Sequence, residues 1–206
     1  MLTIIFIQHP AERKPEKVYD VVADIVFLVD SSRDVSEENF EKEKDFIKNA
    51  AYLLNLALGE SRVSVIQYST AAYLPILLGE HNSTNTFDEH VDNLALIGNS
   101  RRIDRALIAA ATALQYADYD RPKVVILITA GKQDSGFGEL LPQAAAHLAK
   151  LRAKTFVVAI GQDTDPPKLK PVVRSDSDLL NVTSFERLVP RTRPIVKHIA
   201  ENLGRF

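Results

Sequence analysis

A chain of 206 residues that is 46% hydrophobic and 25% charged is long enough for one domain with a full core and too short for two comfortable ones. Its formal net charge of -2 gives no general pull toward nucleic acid, and the absence of cysteine excludes disulfides, Cys-ligated zinc and thiol catalysis. No apolar stretch is long enough to span a bilayer, so no membrane insertion is expected.

Met1 to Ile7 is apolar but lacks the basic start, the longer apolar core and the small-residue cleavage site of a signal peptide. His9 to Lys17 carries prolines and charges and reads as a linker. Residues 1–20 are therefore expected to be an N-terminal extension and 21–206 the domain.

Asp24-Ile-Val-Phe-Leu-Val-Asp30 follows. Its unbroken apolar run is too short for a helix and rich in branched side chains, the pattern of a strand buried on both faces. It stops at Ser31-Ser-Arg-Asp34, a cluster of oxygen donors at the carboxyl end of a strand, where open α/β sheets place their ligands. From Val35 to Leu58, Phe40, Ile47, Ala51, Leu54 and Leu58 recur at helical spacing, with Ser36 supplying N-terminal capping chemistry and Gly59 a stop. Glu38 and Lys42 make a solvent-side pair.

Arg62–Tyr68 alternates as a second strand, and Ala71–Leu78 resumes so soon after it that the two must form an antiparallel hairpin. Pro75 cannot donate to a neighbour, which puts this third strand at an edge. A short helix is expected over Thr86–Leu94, a loop over Ile97–Asp104 and an alanine-rich helix over Arg105–Tyr116. Lys123–Thr129 is another doubly buried strand, ending in Ala130-Gly131-Lys132. A helix over Glu139–Leu151, a strand over Lys154–Ile160, a helical turn over Pro166–Val173 and a weak strand over Asp178–Val182 complete the alternation. Ser184 caps a last helix toward Leu203, disturbed early by Pro190 and Pro194. The fold class that follows is α/β: a doubly wound, mostly parallel six-stranded sheet with one antiparallel edge strand and helices on both faces, Rossmann-like in layering.

Four runs occur in order: Asp24-Ile-Val-Phe-Leu-Val-Asp-Ser-Ser, Arg62-Val-Ser-Val-Ile-Gln-Tyr-Ser, Val124-Val-Ile-Leu-Ile-Thr-Ala-Gly-Lys and Thr155-Phe-Val-Val-Ala-Ile-Gly. Together they make the chain from Asp24 to about Leu203 resemble a von Willebrand factor type A domain. The closing Asn181-Val-Thr-Ser-Phe-Glu-Arg-Leu looks most like the A domains of type VI collagen and related matrix proteins. The resemblance implies a metal-ion-dependent adhesion site (MIDAS) holding Mg²⁺ or Mn²⁺ through side chains on three loops. In the first, Asp-x-Ser-x-Ser, Asp30 and Ser32 match and Asp34 stands at the third position. The threonine of the second falls on Arg101, with Ser100 the neighbouring register, and the aspartate of the third is replaced by Ala130.

Arginine has no lone pair for a metal. At about 4 Å and an effective dielectric near 20, two unit charges interact by ~4 kcal/mol, enough for a guanidinium to hold Asp30 and Asp34 and repel a cation. The expectation is a degenerate, metal-free site in which Arg101 or Arg102 is the counter-ion, with no cofactor. The alternative is weak Mg²⁺ or Mn²⁺ binding by Asp30, Ser32, Asp34 and water, with Arg101 turned to solvent. The contact face expected around this site comprises Ser31, Arg33, Asn99, Ser100, Arg102, Asp104 and Lys132.

The glycines after Gly131 have phosphate-loop spacing, but Phe137 stands where the lysine must be. No nucleophile elbow is present. His9, His81, His90, His147 and His198 show no metal-binding spacing and are expected on the surface. Asn82-Ser-Thr and Asn181-Val-Thr fit the N-glycosylation pattern. Arg187, Arg191, Arg193, Lys197 and Arg205 make a basic C-terminal region, for which a weak sulfated-glycan contact competes with a plain solvated face.

The resemblance implies a secreted, extracellular, non-enzymatic interaction module of the matrix whose partners are collagen, other matrix glycoproteins or neighbouring A domains. A metal-dependent adhesion domain for an acidic ligand group, and an intracellular A-domain subunit of a larger complex, are the alternatives.

Overall fold

The computed structural model describes residues 19–56, 60–134 and 140–203. Six strands form one sheet: β1 (Asp24–Asp30), β2 (Arg62–Tyr68), β3 (Ala72–Ile76), β4 (Lys123–Thr129), β5 (Lys154–Ile160) and β6 (Leu179–Val182). Their order is β3-β2-β1-β4-β5-β6. All neighbours are parallel except β2 and β3, which pair antiparallel with a register shift between Val65 and Gln67. Pro75 lies in β3 on the sheet's border, as its missing N–H requires.

The helices are α1 (Glu37–Leu53), α2 (Thr84–Asp92), α3 (Ile103–Leu114), α4 (Leu141–Lys150), α5 (Pro166–Leu169), α6 (Phe185–Leu188) and α7 (Thr192–Asn202). Strand alternation divides the core into two layers. Ile25, Phe27 and Val29 of β1 face one layer with Phe40, Phe46 and Ile47 of α1 and Ile195 and Ile199 of α7. Val26 and Leu28 face the other, with Leu107 and Leu114 of α3 and Leu148 of α4. Each such side chain, fully buried, contributes about 1.5–3 kcal/mol. No helix among the described residues is long and apolar enough to cross a membrane.

The bounds expected for β2, β4 and β5 coincide with the structure, and the helix ends differ for local reasons. Ser36 caps α1, its hydroxyl accepting from Asn39 N, but the chain leaves the helix at Asn55 with φ 75°, well before Leu58. Gly59, the expected stop, lies outside the described residues. Helix α2 begins at Thr84 rather than Thr86 because the Ser83 hydroxyl accepts from Thr86 N. The expected final helix is broken into α6, a 3₁₀ turn carrying Pro190, and α7 with Pro194 in its first turn; Ser184 stands before α6 without a side-chain capping bond. Lys42 pairs with Glu38 at 2.9 Å as expected, and also with Glu186 at 3.2 Å.

Of the expected N-terminal extension, residues 1–18 lie outside the described residues. Tyr19 is tied to the domain through its N–H to Leu53 O at 2.8 Å.

Candidate functional site

The order β2-β1-β4 makes the carboxyl ends of β1 and β4 the point where successive connections part to opposite sides, the usual ligand crevice of an open α/β sheet. Asp30 ends β1 there and is fully buried. Its Oδ1 accepts from Ser32 N at 3.1 Å, closing the turn after the strand. Its Oδ2 accepts from Ala130 N at 3.1 Å, across the gap to the loop after β4. The loop after Asp30 is held to the 97–99 segment: Gly98 N donates to Ser31 O at 2.8 Å and Arg33 N to Asn99 O at 2.9 Å. Gly98 and Asn99 both have positive φ, 78° and 73°, which turns the chain back toward α3.

That turn delivers Arg101. Its Nε donates to Asp30 Oδ2 at 2.7 Å and its Nη1 to Asp34 Oδ2 at 3.3 Å and Lys132 O at 3.5 Å. The Arg101 side chain is 5% exposed, and Asp34 covers it from the solvent side at 60%. Burial works against its charge, but the Asp30 and Asp34 carboxylates outweigh it and its pKa is raised. The guanidinium lies on Gly131: a Cβ there would stand 2.2 Å from Nη1, so this approach requires glycine. Arg101 Nη2 and Ser32 Oγ are buried with no hydrogen-bond partner among the described residues.

Arg102, the other candidate counter-ion, turns away. Its guanidinium forms a two-bonded pair with Asp104 at 2.8 and 2.7 Å. Gln133 closes this second cluster: its amide donates to Asp104 and its carbonyl accepts from Ile103 N at the start of α3. Burial would raise the Asp104 carboxyl, but the bonds from Arg102 and Gln133 hold it below the usual range.

The expected contact face divides accordingly. Arg33, Asn99 and Lys132 are exposed and Ser100 is half-buried. Ser31, Arg102 and Asp104 are buried, which corrects their assignment to that face. Ser31 is used inward, its hydroxyl accepting from Ile97 N at 2.8 Å. The loop from 135 to 139, including Phe137, lies outside the described residues. Asn82 and Asn181 are exposed, the first before α2 and the second on edge strand β6. Among the basic C-terminal residues, Arg187, Arg191 and Lys197 are exposed and Arg193 is half-buried, while Arg205 is outside the described residues.

Beneath the site lie two groups the sequence reading passed over. Glu43 of α1 is fully buried and its Oε2 accepts from Asp30 N at 3.1 Å. Burial, then the charge of Asp30, raises its carboxyl well above the ordinary 4.5. A signal was available: Glu43 stands on the apolar stripe between Phe40 and Ile47. Tyr68, also fully buried, donates from its hydroxyl to Ile128 O at 2.7 Å, bridging the ends of β2 and β4. A third omission lies elsewhere. His81 and His90, expected as separate surface residues, are brought together with Glu80 beside α2. Nine positions apart, they share no spacing that a sequence motif would register.

The family model for the von Willebrand factor type A domain matches residues 24–191. The chain is 27% identical over 210 residues to the mouse collagen alpha-4(VI) chain, covering 93% of this chain and 9% of that one. It is 26% identical over 156 residues to the human collagen alpha-1(XXI) chain, covering 75% and 16% respectively. In structure it is similar to proximal thread matrix protein 1 from the mussel byssus, with a TM-score of 0.81 and 22% identity over 89% of this chain and 48% of that one. A further crystal structure of the byssus protein, described as having a zinc-occupied MIDAS motif, also gives a TM-score of 0.81, at 21% identity over 90% of this chain and 50% of that one. The chain thus spans a small part of these curated collagen relatives and about half of the mussel chain.

Proposed function

The chain belongs to the von Willebrand factor type A domain family, and on that footing we propose that it is a non-catalytic protein-interaction module of the extracellular matrix whose adhesion site is closed by Arg101 in place of a metal. Its partners are matrix proteins: collagens, or neighbouring A domains. The similarity to collagen VI and XXI chains supports the matrix setting. The exposed acceptor asparagines Asn82 and Asn181 are compatible with secretion.

One observation carries the metal-free reading: the guanidinium of Arg101 takes the carboxylate oxygens of both Asp30 and Asp34. Mg²⁺ demands near-octahedral oxygen ligands at about 2.0–2.1 Å. With Arg101 at the threonine position and Ala130 at the aspartate position, the donor set does not fit that ion. The protein then recognises partners by complementarity of the rim: Arg33, Asn99, Ser100 and Lys132 around the buried pair.

Calorimetric titration of the chain with Mg²⁺ and Mn²⁺, together with binding to immobilised matrix collagens in the presence and absence of a chelator, tests this. Expected are no saturable uptake at the Asp30 site and binding that survives chelation. A dissociation constant well below about 1 mM that is lost in Asp30→Asn, or binding abolished by chelator and restored by Mg²⁺, overturns it.

A further inference from the structure

We propose that Glu80, His81 and His90 form a second, independent metal site, taking a zinc-class divalent transition ion with its remaining coordination open to solvent. Among the described residues, this is the one group of three His, Asp or Glu side chains whose ligand atoms converge closely enough for an ion.

The geometry suits that ion. His81 Nε2 and His90 Nδ1 are 3.0 Å apart, and Glu80 Oε1 lies 3.9 Å from the first and 3.6 Å from the second. The circle through three atoms so spaced has a radius of about 2.1 Å, within the range of Zn–N and Zn–O bonds. One point therefore stands at bonding distance from all three atoms, and an ion there would replace the proton that His81 Nε2 and His90 Nδ1 share in their hydrogen bond. Two imidazoles and a carboxylate are a donor set for zinc and its transition-metal neighbours rather than for Mg²⁺ or Ca²⁺.

Two of the three ligands, His81 and Glu80, are oriented from behind. Thr86 Oγ1 lies 3.1 Å from His81 Nδ1 and 3.3 Å from Ser83 O; in the tautomer in which the ring donates to that hydroxyl, the Nε2 lone pair faces the cluster. Phe87, fully buried, meets the His81 ring edge-on with centroids 6.1 Å apart. Glu80 Oε2 accepts from Leu77 N at 2.8 Å, which holds Oε1 toward the imidazoles. The His81 side chain is 14% exposed, against 34% for His90 and 36% for Glu80, so the open side of the cluster is the solvent side.

The cluster is separate from the Asp30 site. Gly79, just before Glu80, bonds to Val63 O near the start of β2, whereas Asp30 pairs with Tyr68 at the end of that strand. A bound ion would clamp the loop leaving edge strand β3 onto the last turn of α2. None of this depends on the adhesion site being metal-free.

The test is titration of the chain with Zn²⁺ by calorimetry and with Co²⁺ by visible absorption, alongside circular dichroism of every variant. Expected is one equivalent bound with a dissociation constant below about 0.1 mM. Affinity should fall about tenfold or more in Thr86→Val and further in the double variant His81→Ala/His90→Ala, and stay unchanged in Asp30→Asn. Absence of saturable uptake, uptake that survives the double histidine variant, or uptake that follows Asp30→Asn overturns the proposal. If the double variant does not fold, imidazole NMR of the unaltered chain decides: Zn²⁺-induced shifts at His81 and His90 support the site, and unchanged resonances overturn it.

Discussion

Glu43 lies directly under Asp30, its Oε2 accepting the Asp30 N–H at 3.1 Å, and both side chains are fully buried. The two acids differ in what accompanies them: Asp30 has Arg101, and Glu43 has a neighbouring negative charge and little solvent.

Because the folded chain keeps a proton on Glu43 that the unfolded chain sheds above 4.5, the linkage sign is fixed: stability declines as pH rises from 4.5 toward the raised folded value. A single-proton difference gives a slope of about 1.4 kcal/mol per pH unit. In Glu43→Gln this component vanishes. Urea unfolding between about pH 5 and pH 7 should then show a flatter profile for the variant than for the unaltered protein. Matching profiles would mean that Glu43 is ionised in the fold.

Removing Arg101 strands a buried carboxylate. Arg101→Ala is expected to cost about 3–5 kcal/mol, the usual penalty for breaking a buried pair from one side. Restoring the oxygen donors of the family pattern, Arg101→Thr with Ala130→Asp, should convert that loss into metal dependence. The double variant's melting temperature should then rise with added Mg²⁺ while that of the unaltered chain stays put. A double variant indifferent to Mg²⁺ would show that the loops are not built for an ion even when the ligands are supplied.

Gly131 tests the same site by shape alone. A Cβ there would collide with Arg101 Nη1 at 2.2 Å, and the guanidinium is pinned by Asp30 and Asp34. Gly131→Ala is expected to destabilise by about 1–3 kcal/mol, as overpacking does elsewhere. In Arg101→Ala the same change should be nearly neutral, so a double-mutant cycle that closes additively would refute the contact.

Tyr68 joins β2 to β4 through one buried hydrogen bond, 2.7 Å to Ile128 O. Tyr68→Phe should cost about 0.5–1.5 kcal/mol in denaturant unfolding. Burial first, and then the nearby Asp30 charge, raises the phenol well above 10.0. Ultraviolet difference titration should therefore find one tyrosine that ionises only when the protein unfolds in alkali.

The α/β alternation, the edge position of β3 and the polar cluster ending β1 were legible in the chain alone, because each rests on short-range rules; the loops of Arg101 and Ala130 were placed by the family resemblance. An apolar run between turn residues makes a buried strand, a two-residue link makes a hairpin, and proline cannot sit between two strands. The sequence also narrowed the counter-ion to Arg101 or Arg102. Choosing between them needed three dimensions: adjacent residues leave the backbone in different directions, and only the folded loop sends Arg101 to Asp30 and Arg102 to Asp104. The same holds for Ser31 and Asp104, which look like surface polar residues until packing turns them inward. It holds most for His81 and His90, whose proximity is produced by a loop folding back onto a helix. Local patterns determine which elements form; the meeting of side chains far apart in sequence is decided by how those elements pack.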